Sequence, residues 1–573
     1  MQKSENEFSF YNLFIPLTTK KAFLFIAIIG IVVFFNGLFG KFVWDDVTYI
    51  GLSRYIHEFN IVKLFAYNEF NSGGYYRPIP AVYFSALWNL FGIQTFYYHF
   101  VQVVLHIVDT CLLFLLFKKF LNKYISFFLS LIFLIHPVQV ESVVYIGAAQ
   151  SELLFIFGIS ALLLVTSSMK NIWYKIAFSL LLLLSLFTKE TGFLFFIMAS
   201  IYLLFFKKKS FIKMLPFIIS PFFIYFPIRF WYAKVFFVKN ISSPIGLLSL
   251  HQRFINIPEI IFYYIKVIFL PINIGVDQRW TVTQISFNTF YFPLMLGLIF
   301  IGLILFVGFS VKNFRNTYIF FVLWLFLGMG MLLQIFPLDM TVADRWMYFP
   351  IVGFLGIVGI LIESNNFIQK NIKIFIYAGV ILIVILSVRT IIRNADWVDS
   401  ITLYSHDVKV DDNYDLEDNL GTDLAAMGYF KEALPHFLKG YKDSPHATNI
   451  YDLGLIYDKL GNYKLAEKYY YEVLTIKDIP KESDSVVVNT YNGLSKILLL
   501  HESPEVSKAL LIKAVKRYPN NGTYWAYLAL SEYSLGNKKE ALYAALKAKD
   551  LLPNPTTLKL YSRIHDDLPI DIK

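Results

Sequence analysis

Residues 22–40 and 289–311 each run without a single charged side chain. A helix needs roughly 20 mainly apolar residues to cross the hydrocarbon core of a bilayer. Inside that core the backbone must be paired internally, so helices are the natural spanning form of such runs. Comparable stretches lie near 98–117, 124–136, 152–168, 173–187, 192–206, 214–233, 317–336, 347–363 and 374–391, which gives eleven expected membrane helices. A twelfth, 258–275, carries Pro258, Lys266 and Pro271 and reads as a re-entrant or interfacial helix. With 57% hydrophobic and 16% charged residues, the 573-residue chain has too little polar surface to cover itself as a soluble protein. The apolar excess sits in 1–392, and the sequence from about 393 onward has the composition of a soluble domain.

The placement of cations sets an expected topology. Lys20 and Lys21, then Lys118, Lys119 and Lys123, Lys170 and Lys175, Lys207, Lys208, Lys209 and Lys213, Lys312 and Arg315, and Lys370 and Lys373 all flank apolar runs. They fall on one side only if 258–275 does not cross, as the positive-inside rule requires. The net charge of +10 follows from these clusters and implies no nucleic-acid partner. The loop 41–97 and the C-terminal domain then share the outer side, periplasmic or extracellular. The first apolar run has no convincing cleavage site and reads as an uncleaved helix. Cys111 is the only cysteine, so no disulfide can form within the chain.

A repeat follows the membrane part. Ala433 and Ala466 lie 33 residues apart, Ala514 and Ala548 lie 34 apart, and so do Pro519 and Pro553. A small residue, a turn glycine and an alanine recur in helix pairs of this period, the pattern of a tetratricopeptide α-solenoid. The expected organisation is a membrane domain over 1–392, a linker over 393–413, about four repeats over 414–555, the third degenerate, and a tail over 556–573. The repeats suit binding of a polypeptide partner; a rigid spacer is the competing reading.

Ionisable residues near a bilayer cost free energy and mark candidate sites. Asp45 and Asp46 follow the first helix, and mutual repulsion of two adjacent carboxylates favours a raised pKa and a general base, against the simpler reading of a solvated turn. Arg77, in extended backbone before Pro78, can grip a phosphate through paired hydrogen bonds. His99, Gln102 and His106 share one helical face, where packing competes with chemistry. His136, stopped by Pro137, precedes Glu141, with Gln150 and Glu152 beyond; His-x4-Glu alone is a weak metal pattern. Lys189 and Glu190 form a charged break between two apolar helices. Arg345, after Asp344, opens a helix where a cation gains nothing from the dipole, so an anion must reward it. All but His106 fall on the outer side, which suits an anionic, lipid-attached substrate.

The order Trp44-Asp45-Asp46, Tyr76-Arg77-Pro78-Ile79-Pro80, His99-x-x-Gln102-x-x-x-His106, His136-Pro137-Val138-Gln139-Val140-Glu141, Thr188-Lys189-Glu190 and Asp344-Arg345-Trp346-Met347-Tyr348-Phe349-Pro350, then repeats, resembles one family across essentially the whole chain. It is the transmembrane and tetratricopeptide repeat-containing O-mannosyltransferases with their bacterial and archaeal relatives, of the C-type glycosyltransferase fold. Arg393-Asn394-Ala395-Asp396-Trp397 shares in the resemblance. The resemblance implies an all-α enzyme that moves a sugar from a polyisoprenyl phosphate to a hydroxyl of protein or glycan, with inversion. It implies Asp45 as base with Asp46 orienting acceptor or sugar. Arg77, Lys189 and Arg345 would hold the donor phosphate, and His136, Glu141, Glu190 and Asp344 would line the pocket. No metal, nucleotide or other cofactor is implied. Gln139 stands where the family pattern often has a second histidine, which removes any metal or proton role there. A membrane-anchored repeat scaffold without activity is the alternative. A transporter of lipid-linked sugars would show internal pseudo-symmetry, and the sequence has none.

Overall fold

The computed structural model describes residues 17–66, 74–167, 171–236, 243–476 and 484–570. Lys170 therefore lies outside the described residues, as does most of the 479–484 region before the third repeat. The chain divides into two compact units, Met1–Asp411 and Asp412–Lys573. Both are helical, and among the described residues the one β-bridge joins Gln278 to Val342.

Short turns aside, the first unit runs α1 (Thr19–Phe34), α2 (Pro78–Phe91), α3 (Thr95–Phe117), α4 (Lys123–Ile135), α5 (Val140–Val144), α6 (Ala149–Thr166), α7 (Ile172–Thr188), α8 (Phe193–Phe206), α9 (Lys208–Pro227), α10 (Leu250–Phe269), α11 (Phe292–Ser310), α12 (Arg315–Gly330), α13 (Pro350–Ser364), α14 (Ile372–Asp396) and α15 (Ser400–Asp407). Each expected apolar segment coincides with a helix. The count of eleven spans does not follow, however. Among the described residues five helical stretches are long and apolar enough to cross a bilayer: Thr95–Phe117, Ile146–Thr166, Lys208–Tyr232, Phe287–Ser310 and Lys373–Asp396. A sixth is counted if α4 and Pro137–Val144, bent by 53°, form one broken span. Ile172–Thr188, Glu190–Phe206 and Pro350–Ser364 are apolar but shorter. The bend falls at Pro137, which has no N–H to continue the α4 ladder.

Helix starts follow local chemistry. Thr18, Asn122 and Asn171 cap α1, α4 and α7 by accepting from free backbone amides. Packing uses glycine where backbones meet. A Cβ on Gly353 of α13 would lie 2.4 Å from the Leu325 nitrogen of α12, so these helices touch main chain to main chain.

α10 is tied to neighbouring segments of the first unit near both its ends. Near its start Arg253 donates to the Ile335 carbonyl, and Asn256 bonds the main chain of Val282. Near its end the Ile268 carbonyl contacts His136.

Residues 393–413 are not a free linker. Arg393 grips the Asp407 carboxylate through both terminal nitrogens (2.8 and 3.0 Å), and the Val276 amide donates to the same carboxylate (2.6 Å). A fully buried aspartate needs all of these partners, so residues 393–411 pack within the first unit.

The second unit stacks four helix pairs: α16 (Tyr414–Ala426) with α17 (Phe430–Asp443), α18 (Ala447–Lys459) with α19 (Tyr463–Thr475), α20 (Asp484–Ile497) with α21 (Pro504–Arg517), and α22 (Gly522–Ser534) with α23 (Lys538–Leu551). Gly428, Gly461 and Gly536 turn three of them at φ of 85°, 78° and 77°, a backbone that glycine adopts without strain. The third pair lacks this glycine and turns through a wider helical segment, Leu498–Glu502, which is why its repeat looks degenerate. Ala433, Ala466, Ala514 and Ala548 are fully buried between helices. The expected tail instead begins as α24 (Pro555–His565), whose Leu560 and Ile564 join the hydrophobic core.

Candidate active site

Charged breaks from distant parts of the first unit meet around one cavity of about 450 Å³. Asp45, Tyr75, Arg77, Lys189, Glu190, Asp339 and Arg345 are among its polar lining residues, and Leu154, Phe155, Leu194, Met331, Leu332 and Phe349 among its apolar ones.

The turn that presents Asp45 is held firmly. Trp44 has φ +53°, rare for a side chain of this size. Its indole packs on Tyr145 (5.2 Å between ring centres), and the Arg345 guanidinium lies 5.3 Å from its centre. Asp46, fully buried, accepts from the amides of Gly147 (2.7 Å) and Val43 (3.3 Å). Burial raises its carboxyl above the usual range, against the pull of these amides. Asp46 thus fixes the loop and does not line the cavity. Asp45 points the other way, exposed, with the Tyr145 hydroxyl 3.5 Å from Oδ2.

Arg77 enters from the start of α2. Its Nε donates to Glu190 (3.2 Å), Nη1 donates to the Gln150 side chain (2.7 Å), and its guanidinium lies 4.3 Å from the centre of the Tyr75 ring. Glu190 also accepts from the Tyr76 amide (2.9 Å) and from buried Arg229 (3.4 Å). Lys189 caps the C-terminal end of α7. Its ammonium has no hydrogen-bond or ion-pair partner among the described residues. Burial, then the neighbouring Arg77 and Arg345, bring its pKa down to about 7. Arg345 pairs with Glu141, which accepts from both its guanidinium and its backbone amide (2.8 Å).

Several expected pocket residues stand behind the wall. Glu141 orients Arg345. Asp344 accepts from the Tyr263 hydroxyl (2.6 Å), and burial, then nearby Glu141, raise its carboxyl. His136 uses one ring nitrogen on the Ile268 carbonyl and accepts from the Val138 amide with the other, so it is a structural link between α4 and α10. His99, Gln102 and His106 pack: onto the Gly40 carbonyl, onto the Ser142 and Tyr145 carbonyls, and between the Leu134 carbonyl and Tyr348. Tyr348, on the cavity wall, also donates to Asp109 (2.7 Å). No group of three or more His, Cys, Asp or Glu side chains among the described residues is arranged to hold a metal ion.

Sequence reading missed Asp339 and Arg229. Arg229 carried a usable signal: an arginine inside the apolar run 214–233 demands a partner. It donates to Tyr225 (2.7 Å) and to the Gly74 carbonyl (2.7 Å).

Over 439 residues, 73% of this chain, the sequence is 26% identical to the protein O-mannosyl-transferase F38B6.6 of Caenorhabditis elegans. Over 93% of this chain it is 25% identical to the human protein O-mannosyl-transferase TMTC3. The chain resembles the O-mannosyl-transferases along most of its length. Residues 495–554 match the tetratricopeptide repeat family. A shorter match, 30% over 20% of the chain, is to the Drosophila melanogaster protein O-mannosyl-transferase Tmtc2. The matched region spans 62% of the length of the first relative and 64% of the second, less than two thirds of either. Apolar helices and this likeness make the chain a multi-pass membrane protein with a repeat domain suited to protein–protein interaction.

Proposed function

We propose that the chain is an integral membrane glycosyltransferase of the C-type kind, moving a sugar from a polyisoprenyl-phosphate donor to a hydroxyl acceptor on the outer membrane face. The observation that carries this reading is the cavity itself: an exposed carboxylate, three cations and several apolar side chains line one space. An isoprenoid tail suits the apolar side chains and its phosphate suits the cations. Relatives named O-mannosyl-transferases support transfer of a hexose, mannose first among candidates.

In the reaction, Asp45 takes the acceptor hydroxyl proton as that oxygen bonds to the anomeric carbon. The bond from the anomeric carbon to the phosphate oxygen breaks in the same displacement, which inverts the centre. The departing lipid phosphate gains negative charge. Arg77, Lys189 and Arg345, held in place before the reaction, stabilise that charge more than they stabilise the bound donor. Glu190 and Glu141 keep two of these cations from reorienting. The outer location rests on the lysine clusters: α1, α4, α9 and α12 begin beside them, and α3 and α8 end beside them, away from the cavity.

The test is reconstitution of the full chain in vesicles with labelled polyisoprenyl-phosphate mannose and an acceptor mixture. Transfer is expected, and Asp45→Asn should lower it about a hundredfold or more without shifting thermal unfolding. Full activity in that variant removes Asp45 from the reaction; no transfer by the unmodified protein from any polyisoprenyl-phosphate sugar removes the reading and favours a scaffold.

A further inference from the structure

Three carboxylates line the cavity among the described residues: Asp45, Glu190 and Asp339. Asp45 serves as base in the reaction above, and Glu190 is engaged by Tyr76, Arg77 and Arg229. Asp339 has no hydrogen-bond or ion-pair partner among the described residues. A carboxylate present only to balance the cations should touch one, as Glu141 touches Arg345 and Glu190 touches Arg77.

The loop beneath Asp339 is built to hold it still. Gln334 is fully buried and has φ +58° without being glycine. Its side-chain nitrogen donates to the carbonyls of Met340 and Thr341, both at 2.8 Å, and its oxygen accepts from the Leu338 amide at 2.8 Å. The Ser243 hydroxyl donates to the Leu338 carbonyl (2.8 Å). Thr341 is tied to the Gln278 and Trp280 carbonyls (2.9 and 2.6 Å). Both chain neighbours of Asp339 are therefore pinned, while its own side chain is left exposed on the cavity wall. Backbone strain persists only where surroundings over-determine it, and it gathers at functional sites.

An ionised carboxylate only accepts hydrogen bonds and repels phosphate. Its ligand must bring donors. Of the donor substrate's parts, the isoprenoid and the phosphodiester have none, whereas the sugar has several hydroxyls. We infer that Asp339 is a sugar-recognition residue, accepting hydrogen bonds from neighbouring hydroxyls of the glycosyl group to be transferred, and so selecting among donor sugars. The inference rests on the donor class proposed above.

Binding separates the possibilities. The full chain in nanodiscs is titrated with a short-chain polyisoprenyl phosphate, bare and mannosylated, for the unmodified protein, Asp339→Asn and Asp339→Ala. Asp339→Ala should weaken the mannosylated lipid about tenfold or more and leave the bare lipid as tight or tighter. Asp339→Asn, which keeps shape and one acceptor oxygen, should lie between. Deoxymannosyl lipids carry the second arm: removing the partner hydroxyl should cost the unmodified protein affinity and cost Asp339→Ala nothing. An equal change for both lipids would make Asp339 a charge balancer, and no change for either would make it a bystander; each overturns the inference and leaves the transferase reading standing. Failure of the unmodified protein to bind either lipid would instead remove that reading, and the inference with it.

Discussion

At the scale of single residues, the cavity depends on which of two neighbours faces it. Charges beside long apolar runs were legible in the sequence because they cost free energy near a bilayer and must be compensated. That logic found Asp45, Arg77, Lys189, Glu190 and Arg345, all on the cavity wall. It could not divide Asp45 from Asp46, or Asp344 from Arg345, because adjacent residues in a turn point opposite ways and the direction depends on partners such as the Gly147 amide and Tyr263, far off in sequence. Asp339 carried no signal: an aspartate after Pro337 and Leu338 reads as an ordinary loop. Lys189 gives a prediction about pH. Its pKa is lowered to about 7 by burial and by Arg77 and Arg345, while Glu190 and Asp339 pull it up. A bound phosphate favours the charged amine. Below about pH 7 the amine is already charged and affinity is greatest. As pH rises through 7 a proton must be taken up on binding, so affinity should fall by up to tenfold per pH unit until the pKa of the complex is reached. A sugar phosphodiester, singly charged throughout, is the right ligand for the titration. Lys189→Arg, always charged, should flatten the profile; an unchanged slope would exclude Lys189 from the phosphate site.

At the scale of elements, apolar runs located the helices, and lengths proved harder. α8, α12 and α13 have 14, 16 and 15 residues, below the 20 or so of a full span. Their cavity-side ends give way to loops and turns that carry Lys189 and Arg345. Hydropathy sees composition and cannot see where a helix yields to a site. The glycines of α13 show a second limit: sequence displays Gly353, Gly356 and Gly359 but not what each faces. A methyl on Gly353 meets main-chain atoms of α12, the Leu325 nitrogen at 2.4 Å and its Cα at 2.8 Å. A methyl on Gly359 meets the tips of Leu121 and Leu129, both at 2.6 Å, and those side chains can rotate away. Gly353→Ala should therefore destabilise by about 1–3 kcal/mol through forced separation of α12 and α13. Gly359→Ala should stay near neutral, because the repacking cost is offset by the roughly 1 kcal/mol of helix propensity that alanine gains over glycine. Thermal unfolding in detergent compares them; equal midpoints would mean that the helix contact is soft.

At the scale of the whole molecule, the period of the repeats was legible because stacked helix pairs need a small residue and a turn glycine at every step. The partner was not, since the concave face of a solenoid is free to vary while its seams are not. The second unit has two buried hydrophobic clusters of its own, one with Phe437, Leu453 and Val473 and one with Tyr470, Leu494, Leu511, Ala529 and Ile564. It should fold alone as a soluble helical domain when residues 412–573 are expressed. If it recruits a polypeptide acceptor, removing it separates two activities of the first unit. The cavity wall, from Asp45 to Arg345, lies wholly within residues 1–411. A chain ending at 411 should therefore still cleave the lipid-linked sugar with water as acceptor, while transfer to protein hydroxyls falls about tenfold or more, the loss expected when an intramolecularly delivered acceptor must be captured from solution. Both rates are read from one labelled donor, as free sugar and as protein-bound label. A selective fall in the second assigns acceptor capture to the repeats. An equal fall in both makes them a structural support of the membrane unit, because loss of stability would act on every reaction of the cavity alike.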